Sequence, residues 1–354
     1  MQSLRDHFYS LHRMAPANRD PAAAARLALS VAGPALVLLA LGHPELTIYA
    51  VFGALTGMYG RTEPHQLRIR HQGQAAVLLI GGVAVGTMLS VLGLHSWWLV
   101  GVEAIFAALA SLYSDNVDLR PNGPFFGILA LGACASVPLT IPWTLAVLIS
   151  ITSACFAIVV GFGGWLRKRS WQPRMVRTRP DPSLSERRAS FARALRYTLS
   201  ISAAGMAGVL AGIGHPHWAM AAAAVPLSAS NVPGAMHRGV HRIVGTFVGL
   251  VVVALLLVPG PLHVFPSSDA VALVLAIIVF AFTTELLMAR HYGLAMVSFT
   301  PVILLMTQLA FPEQPAVLIR DRGVETLIGA SVGMVVALVG RHIYLRPRQR
   351  GTGH

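Results

Sequence analysis

A chain of 354 residues that is 55% hydrophobic and only 12% charged carries roughly half the charge of a soluble domain, where charged residues make up about 25%. With a mean hydropathy of +0.64, most of its surface must face lipid, which excludes an ordinary soluble globular domain. The formal charge of +13 does not make it a nucleic-acid binder, because the basic residues sit beside the apolar blocks, as they do in the cytoplasmic loops of membrane proteins.

The apolar residues run in continuous blocks and do not alternate, so the spans are helices and a β-barrel is out. Residues 1–21 read as a cytoplasmic N-terminal segment, since Arg5, Asp6, Arg13, Arg19 and Asp20 make it too polar for the apolar stretch of a signal peptide. A first membrane repeat over 22–166 is expected to span at 22–41, 46–59, 75–94, 97–113, 125–139 and 143–166. Residues 167–193 form a basic cytoplasmic linker; the stretch 167–196 holds ten basic residues against Asp181 and Glu186. The second repeat, 194–345, is expected to span at 197–213, 217–230, 240–258, 270–288, 293–311 and 324–344, before a cytoplasmic tail at 346–354.

Arginine placement sets the sidedness. The N-terminal segment, 61–70, the linker, 238–242 and 346–350 are basic, whereas the loops at 94–97, 138–143 and 259–269 have no Arg or Lys. Loops therefore alternate inside and outside, and both termini fall in the cytoplasm. One loop breaks the rule: Arg320 and Arg322 precede the last span on its outer side. Internal repetition supports the division. Gly42-His43-Pro44 returns as Gly214-His215-Pro216, an offset of 172, and in that register His65 matches His237, Arg70 matches Arg242 and Gly73 matches Gly245. Leu29-Ser30 resembles Leu199-Ser200 with a two-residue slip. Six spans per half give both halves the same orientation. The expected fold is thus an all-α polytopic membrane protein, with about twelve transmembrane helices as two tandem parallel six-helix repeats.

No catalytic constellation is legible: there is no Gly-x-Ser-x-Gly and no phosphate-cradling Gly-rich loop with Lys. His237 and His241 are spaced i,i+4, but Arg238 and Arg242 beside them point to a solvated loop and not to a metal site. Cys134 and Cys155 read as small buried hydrophobes. No enzyme activity, cofactor or metal is expected. The sharpest motif is Arg242-Ile-Val-Gly245-Thr246-Phe-Val-Gly249, with a relative at Arg322-Gly-Val-Glu325-Thr326-Leu-Ile-Gly329 that continues to Gly333. Helical spacing puts Arg322, Thr326, Gly329 and Gly333 on one stripe. Gly245, Thr246, Gly249, Thr326, Gly329 and Gly333 read as a helix-packing motif, because small residues let transmembrane backbones approach closely. Arg242 and Arg322 either snorkel at helix ends or lend positive charge to an anion path, and for Arg322 the broken charge rule favours the path.

Acids inside spans are the other expensive residues. Glu103, in mid-span, and Glu285, near the inner end of its span, are the proton-coupling candidates, set against the alternative of hydrogen-bonded structural acids. The blocks 46–59 and 217–230 are short, sit at equivalent places and each follow Gly-His-Pro, the pattern of interrupted helices around a transporter's central site. His43, Tyr49, His215 and Trp218 then line one end of that site, unless the aromatic residues are interface anchors, as Trp97 and Trp98 are read to be.

The duplicated Arg-x-x-Gly-Thr-x-x-Gly motif, the basic linker and the six-plus-six plan resemble the fusaric-acid-resistance and aromatic-acid-exporter family of bacterial inner-membrane proteins, to which plant aluminium-activated malate channels are distantly related. The motif carries to Arg242, Gly245, Thr246 and Gly249, and more loosely to Arg322, Thr326 and Gly329. In the first half Arg70 and Gly73 match, while Gln74 stands where the threonine belongs. Larger members carry a sizeable soluble cytoplasmic domain; here the linker stands in its place. The resemblance implies a multi-pass inner-membrane exporter of organic, including aromatic, carboxylic acids, with the lipid bilayer and a small organic anion as partners. A passive anion channel on the same helices and a non-transporting partner of an envelope assembly are the other readings, the last favoured by a dry interface between the halves.

Overall fold

The computed structural model describes residues 20–61, 63–163, 182–258 and 269–340. Most of the expected N-terminal segment, the linker up to residue 181, the loop at 259–268 and the expected tail lie outside the described residues. Those residues form twelve α-helices and no strand. In the first half these are α1 Asp20–Ala40, α2 Thr47–Ala54, α3 His65–Val91, α4 Trp97–Val117, α5 Phe125–Ser136 and α6 Trp143–Phe162. In the second they are α7 Leu184–Leu210, α8 Pro216–Leu227, α9 Val232–Leu257, α10 Ala270–Met288, α11 Tyr292–Ala310 and α12 Pro315–Val339.

Eight of them (α1, α3, α4, α6, α9, α10, α11 and α12) are long and apolar enough to cross a membrane, and the chain is a multi-pass membrane protein. Twelve spans were expected; the helices outside this set are α2, α5, α7 and α8, of which α7 is long, at 27 residues, and the other three are short. At 1.5 Å per residue a helix needs about 20 residues to cross the hydrocarbon core, and α2, α5 and α8 have 8, 12 and 12. They need not meet lipid at both ends because they are wrapped in protein: every residue of α2 and of α8 is buried, as is nearly all of α5. The fourth core helix is α11, whose most apolar window is 78% buried against 33% for α10. Around this core stand the longer helices, which turn apolar faces outward through residues such as Val77, Ile105, Val159, Leu199, Val251, Val279 and Val335.

Several helices begin earlier than hydropathy indicates, because a helix continues past the stretch that lipid demands be apolar. α7 starts at Leu184, inside the segment read as linker. Ser183 and Glu186 form a reciprocal capping box there, with the Glu186 carboxylate accepting from the Ser183 amide at 2.9 Å. α12 starts at Pro315, so Arg320 and Arg322 lie on the helix and not on a loop before it.

The helix contacts come in matched sets. α3 packs on α5 and α6 as α9 packs on α11 and α12, and α2 packs on α6 as α8 packs on α12. Between the halves the pairing is reciprocal: α4 with α7 and α10 with α1 on the flanks, α5 with α8 and α11 with α2 nearer the centre. An acid late in each fourth helix ties down the corresponding flank. Asp115 meets Arg193 at 2.7 Å and Glu285 meets Arg61 at 3.4 Å. The Gly-His-Pro turns also match in backbone: His43 has φ −119° and ψ 53°, and His215 has φ −127° and ψ 55°, each followed by proline at the first helical position.

The sequence register does not hold everywhere. Gly73 touches nothing, while a side chain at Gly82 or Gly86 would strike the Gly127 or Leu131 carbonyl of α5. Those two are the counterparts of Gly245 and Gly249, which meet α11 in the same way. Arg70 is exposed near the start of α3, whereas Arg242 is buried well inside α9, so the two do not correspond.

Candidate functional site

Chain alternation puts the first turns of α3 and α9, with their arginines, at one end of the bundle and the last turns of α1, α3, α5, α7, α9 and α11 at the other, called here the far end. At the far end the N-terminus of α8 is packed with polar groups. His215, its N-cap, has Nε2 3.4 Å from Glu313 and Nδ1 3.6 Å from Asp321. Its ring stacks on Trp218 at 4.4 Å with a 13° tilt. Arg322, on the second turn of α12, lays its guanidinium 5.1 Å over the same Trp218 ring. Arg322 is completely buried, and its Nε, Nη1 and Nη2 have no hydrogen-bond partner. Glu325, one turn on, is equally buried and within electrostatic range of Arg322 and Asp321. The His215 amide points towards its carboxylate without closing a hydrogen bond. Exposed Arg320 is tied to Asp321 at 2.8 Å. The apparent breach of the charge rule thus dissolves: Arg320 is offset by Asp321, and Arg322 is inside the protein.

The same polar group reaches across the seam between the halves. His217 Nδ1 lies 2.8 Å from Ser136 Oγ on α5. A side chain at Gly132 would meet the Cβ of His217 at 2.5 Å and Oε2 of Glu103 at 3.1 Å. Glycine at this position therefore lets α8, α5 and the α4 carboxylate converge. Glu103 is fully buried, with neither oxygen hydrogen-bonded. Above this point a cavity of about 1020 Å³ opens at the far end. Its walls come from both halves, with Ser90, His95 and Trp143 from the first and Val209, Gly214 and Phe311 from the second. Ser136 and Pro216 belong to its lining, so it ends on the residue bonded to His217.

A second buried guanidinium enters the core from the other end. Arg242 is wholly buried on α9, with Nη1 3.0 Å from the Met296 sulfur and its charge 5.5 Å over the Phe125 ring of the first half. Tyr292 lies beside it, and Nε and Nη2 have no hydrogen-bond partner. Phe125, Phe126 and Phe299 extend the aromatic wall with centroids 4.9–6.4 Å apart. Arg242 and Arg322 are near enough to act on one another electrostatically. Because α9 and α12 run antiparallel, each motif begins with arginine nearer its own end and carries its threonine towards mid-depth. The hydroxyls of Thr246 and Thr326 are buried and unpaired.

The glycines of both motifs are seams. Gly245 and Gly249 meet the Gly293 and Val297 carbonyls of α11, while Gly329 and Gly333 meet the Ala219 and Ala223 carbonyls of α8. Of the acids read as proton-coupling candidates, Glu103 is unpaired and Glu285 is in an ion pair with Arg61. Of the four residues read as lining, His215 and Trp218 join the cluster. Tyr49 is buried on α2, and His43 is exposed beside Glu45. Sequence reasoning passed over His217, Ser136, Tyr292 and Phe125. The legible signal was for His217 alone, a histidine in the first turn of a short apolar helix.

No curated protein and no solved structure matches the chain. Residues 202–336, covering α8–α11 in full, the last third of α7 and most of α12, match the family described as fusaric acid resistance protein-like. That stretch contains Arg242, Arg322, both glycine seams and the histidines of α8, so it is the site-bearing part of the chain that is similar to the family.

Proposed function

We propose that this chain exports organic carboxylates, aromatic acids among them, across the bacterial inner membrane in a proton-coupled cycle, and is built as two parallel six-helix repeats with both termini cytoplasmic. The reciprocal contacts between halves support the parallel repeat, since matched contacts on both sides are what a twofold relation produces. The basic loops at one end support the sidedness, which makes the far-end cavity an outward-facing vestibule. The substrate leaves the proposed cycle chemically unchanged; the partners are the bilayer and a small organic anion.

The observation that carries the reading is the pair of buried arginines, Arg242 and Arg322, each with guanidinium nitrogens that have no hydrogen-bond partner. An arginine at membrane depth is costly and marks function, and its planar fork of donors suits a carboxylate. Aromatic rings beside both guanidiniums, Phe125 at Arg242 and Trp218 at Arg322, offer faces and edges to a flat apolar body. The large vestibule between the halves speaks against a dry assembly interface. The test is transport of aromatic and aliphatic carboxylates by the purified chain in vesicles, with and without a proton gradient. Saturable flux that the gradient enhances and that Arg242→Ala or Arg322→Ala sharply reduces is expected. Flux indifferent to the gradient points to a passive anion channel, and no flux of any carboxylate removes the transporter reading.

A further inference from the structure

We propose that Glu103 holds the transported proton, and that His217 and Ser136 conduct it between this carboxyl and the far-end vestibule. The inference rests on the transporter reading above and names its coupling site. An ionised carboxylate with no cation and no donor at membrane depth is among the costliest groups a protein can bury. Glu103 is in that position, so in this conformation it carries a proton.

The route follows from hydrogen-bond bookkeeping. Ser136 Oγ has one proton, which it donates to the Gly132 carbonyl at 2.8 Å. Its 2.8 Å contact with His217 Nδ1 therefore requires the imidazole to donate there, leaving Nε2 with the free lone pair. Release then balances atom by atom. The Glu103 carboxyl, which has no hydrogen bond in this conformation, gives its proton to Nε2 when the two side chains close on one another beside Gly132, Nδ1 gives its proton to Ser136 Oγ, and Ser136 gives its own to vestibule water; uptake is the reverse. Glycine at 132 keeps Glu103 and the His217 side chain in one small space.

Other titratable groups are accounted for element by element. Those of α3 (His65, Arg68, Arg70 and His71) and of α7 (Glu186 to Tyr197) sit towards the arginine end. On α4 itself Tyr113 and Asp115 are near its last turn, and α5 brings Cys134 alone. From α8 and α12, His215 and Arg322 act on His217. A charged imidazole wrapped in protein is costly, and the neighbouring Arg322 adds to that cost, so His217 passes the proton and Glu103 keeps it. Once deprotonated, Glu103 puts negative charge next to the residue that adjoins Arg322 and opposes an anion there, which links the proton to the substrate.

The experiment uses the full chain in vesicles with labelled benzoate as the probe, read as gradient-driven accumulation and as exchange without a gradient. Infrared difference spectra across a pH jump run in parallel. Wild type should accumulate benzoate and show a carboxylic C=O band. Glu103→Gln should lose both the accumulation and the band while still exchanging benzoate. Ser136→Ala, which leaves the carboxyl in place, should keep the band and slow accumulation about tenfold, the worth of one hydrogen bond. Accumulation or an intact band in Glu103→Gln overturns the proposal, as does wild-type exchange that no gradient can drive. Absence of any benzoate movement in wild type overturns the transporter reading instead, and the band still decides whether Glu103 holds a proton.

Discussion

Ahead of the short core helix of the first half, the Gly-His-Pro turn leaves the His43 side chain 60% exposed beside Glu45. The same turn in the second half, with nearly the same backbone angles, buries the His215 side chain to 11% exposure between Glu313, Asp321 and Trp218. The contrast recurs deeper in the bundle. α3 and α9 press paired glycines onto the fifth helix of their own half, yet only α9 brings a buried arginine with it. The two halves have backbone turns and glycine seams in common but divide the chemistry. The second half supplies both buried guanidiniums, and the first supplies Glu103, Ser136 and Phe125 against them. The cluster therefore exists only where the two halves meet.

That comparison can be broken most forcefully at the glycines. Gly329→Leu drives a side chain into the Ala219 carbonyl and should cost about 3 kcal/mol, the upper end for overpacking. Gly73→Ala, where nothing is within reach, should stabilise by up to about 1 kcal/mol through helix propensity. Thermal unfolding of the detergent-purified variants measures both, and equal losses would mean that Gly329 is not at a seam or that Gly73 is not in the open as described.

Next comes the arginine asymmetry. Arg322→Ala should cut carboxylate flux about ten- to a hundredfold, the worth of charge-assisted hydrogen bonds of roughly 1.5–3 kcal/mol. Arg322→Lys should recover part of this if charge outweighs fork geometry. Arg70→Ala, at the position the sequence register pairs with Arg242, should transport like wild type. A transport defect at Arg70 equal to that at Arg242 would restore the symmetric reading.

The flank ion pairs sharpen the comparison further. Glu285→Gln and Asp115→Asn should each lower stability by about 1–2 kcal/mol, between the values for exposed and buried pairs. Glu285→Gln should be the worse, since Arg61 is less exposed than Arg193. The double variant should show the sum, because the pairs lie on separate flanks. Loss of proton coupling in Glu285→Gln with unchanged stability would return that acid to the transport path. The smallest effect is expected at the turns: His43→Ala should be neutral within about 0.5 kcal/mol, whereas His215→Ala should lower benzoate affinity in the same vesicle assay.

Much of the frame is legible in the residues. Continuous apolar blocks announce helices, the Gly-His-Pro repeat marks equivalent turns, and the glycine spacing marks seams. Hydropathy misled at helix ends and in the core, because it reports what lipid requires of a surface. It therefore ran the expected span at 125–139 past the helix end at Ser136, and it began the last span after Arg322 when the helix had already started at Pro315. The register of 172 failed for Gly73 and Arg70 because short insertions between helices shift the offset from one pair to the next, which identities at turns do not reveal.

By itself, then, the sequence determined a helical membrane protein with duplicated turns, small-residue seams and a few charged residues too costly to be idle, since composition and periodicity follow directly from lipid as solvent. Only the tertiary structure decided which of those residues meet. Glu103, Ser136, His217 and Arg322 come from four helices and both halves, and no spacing along one chain encodes their convergence. It arises where Gly132 lets α5 and α8 approach closely enough for a carboxylate, a hydroxyl and an imidazole to share one buried place.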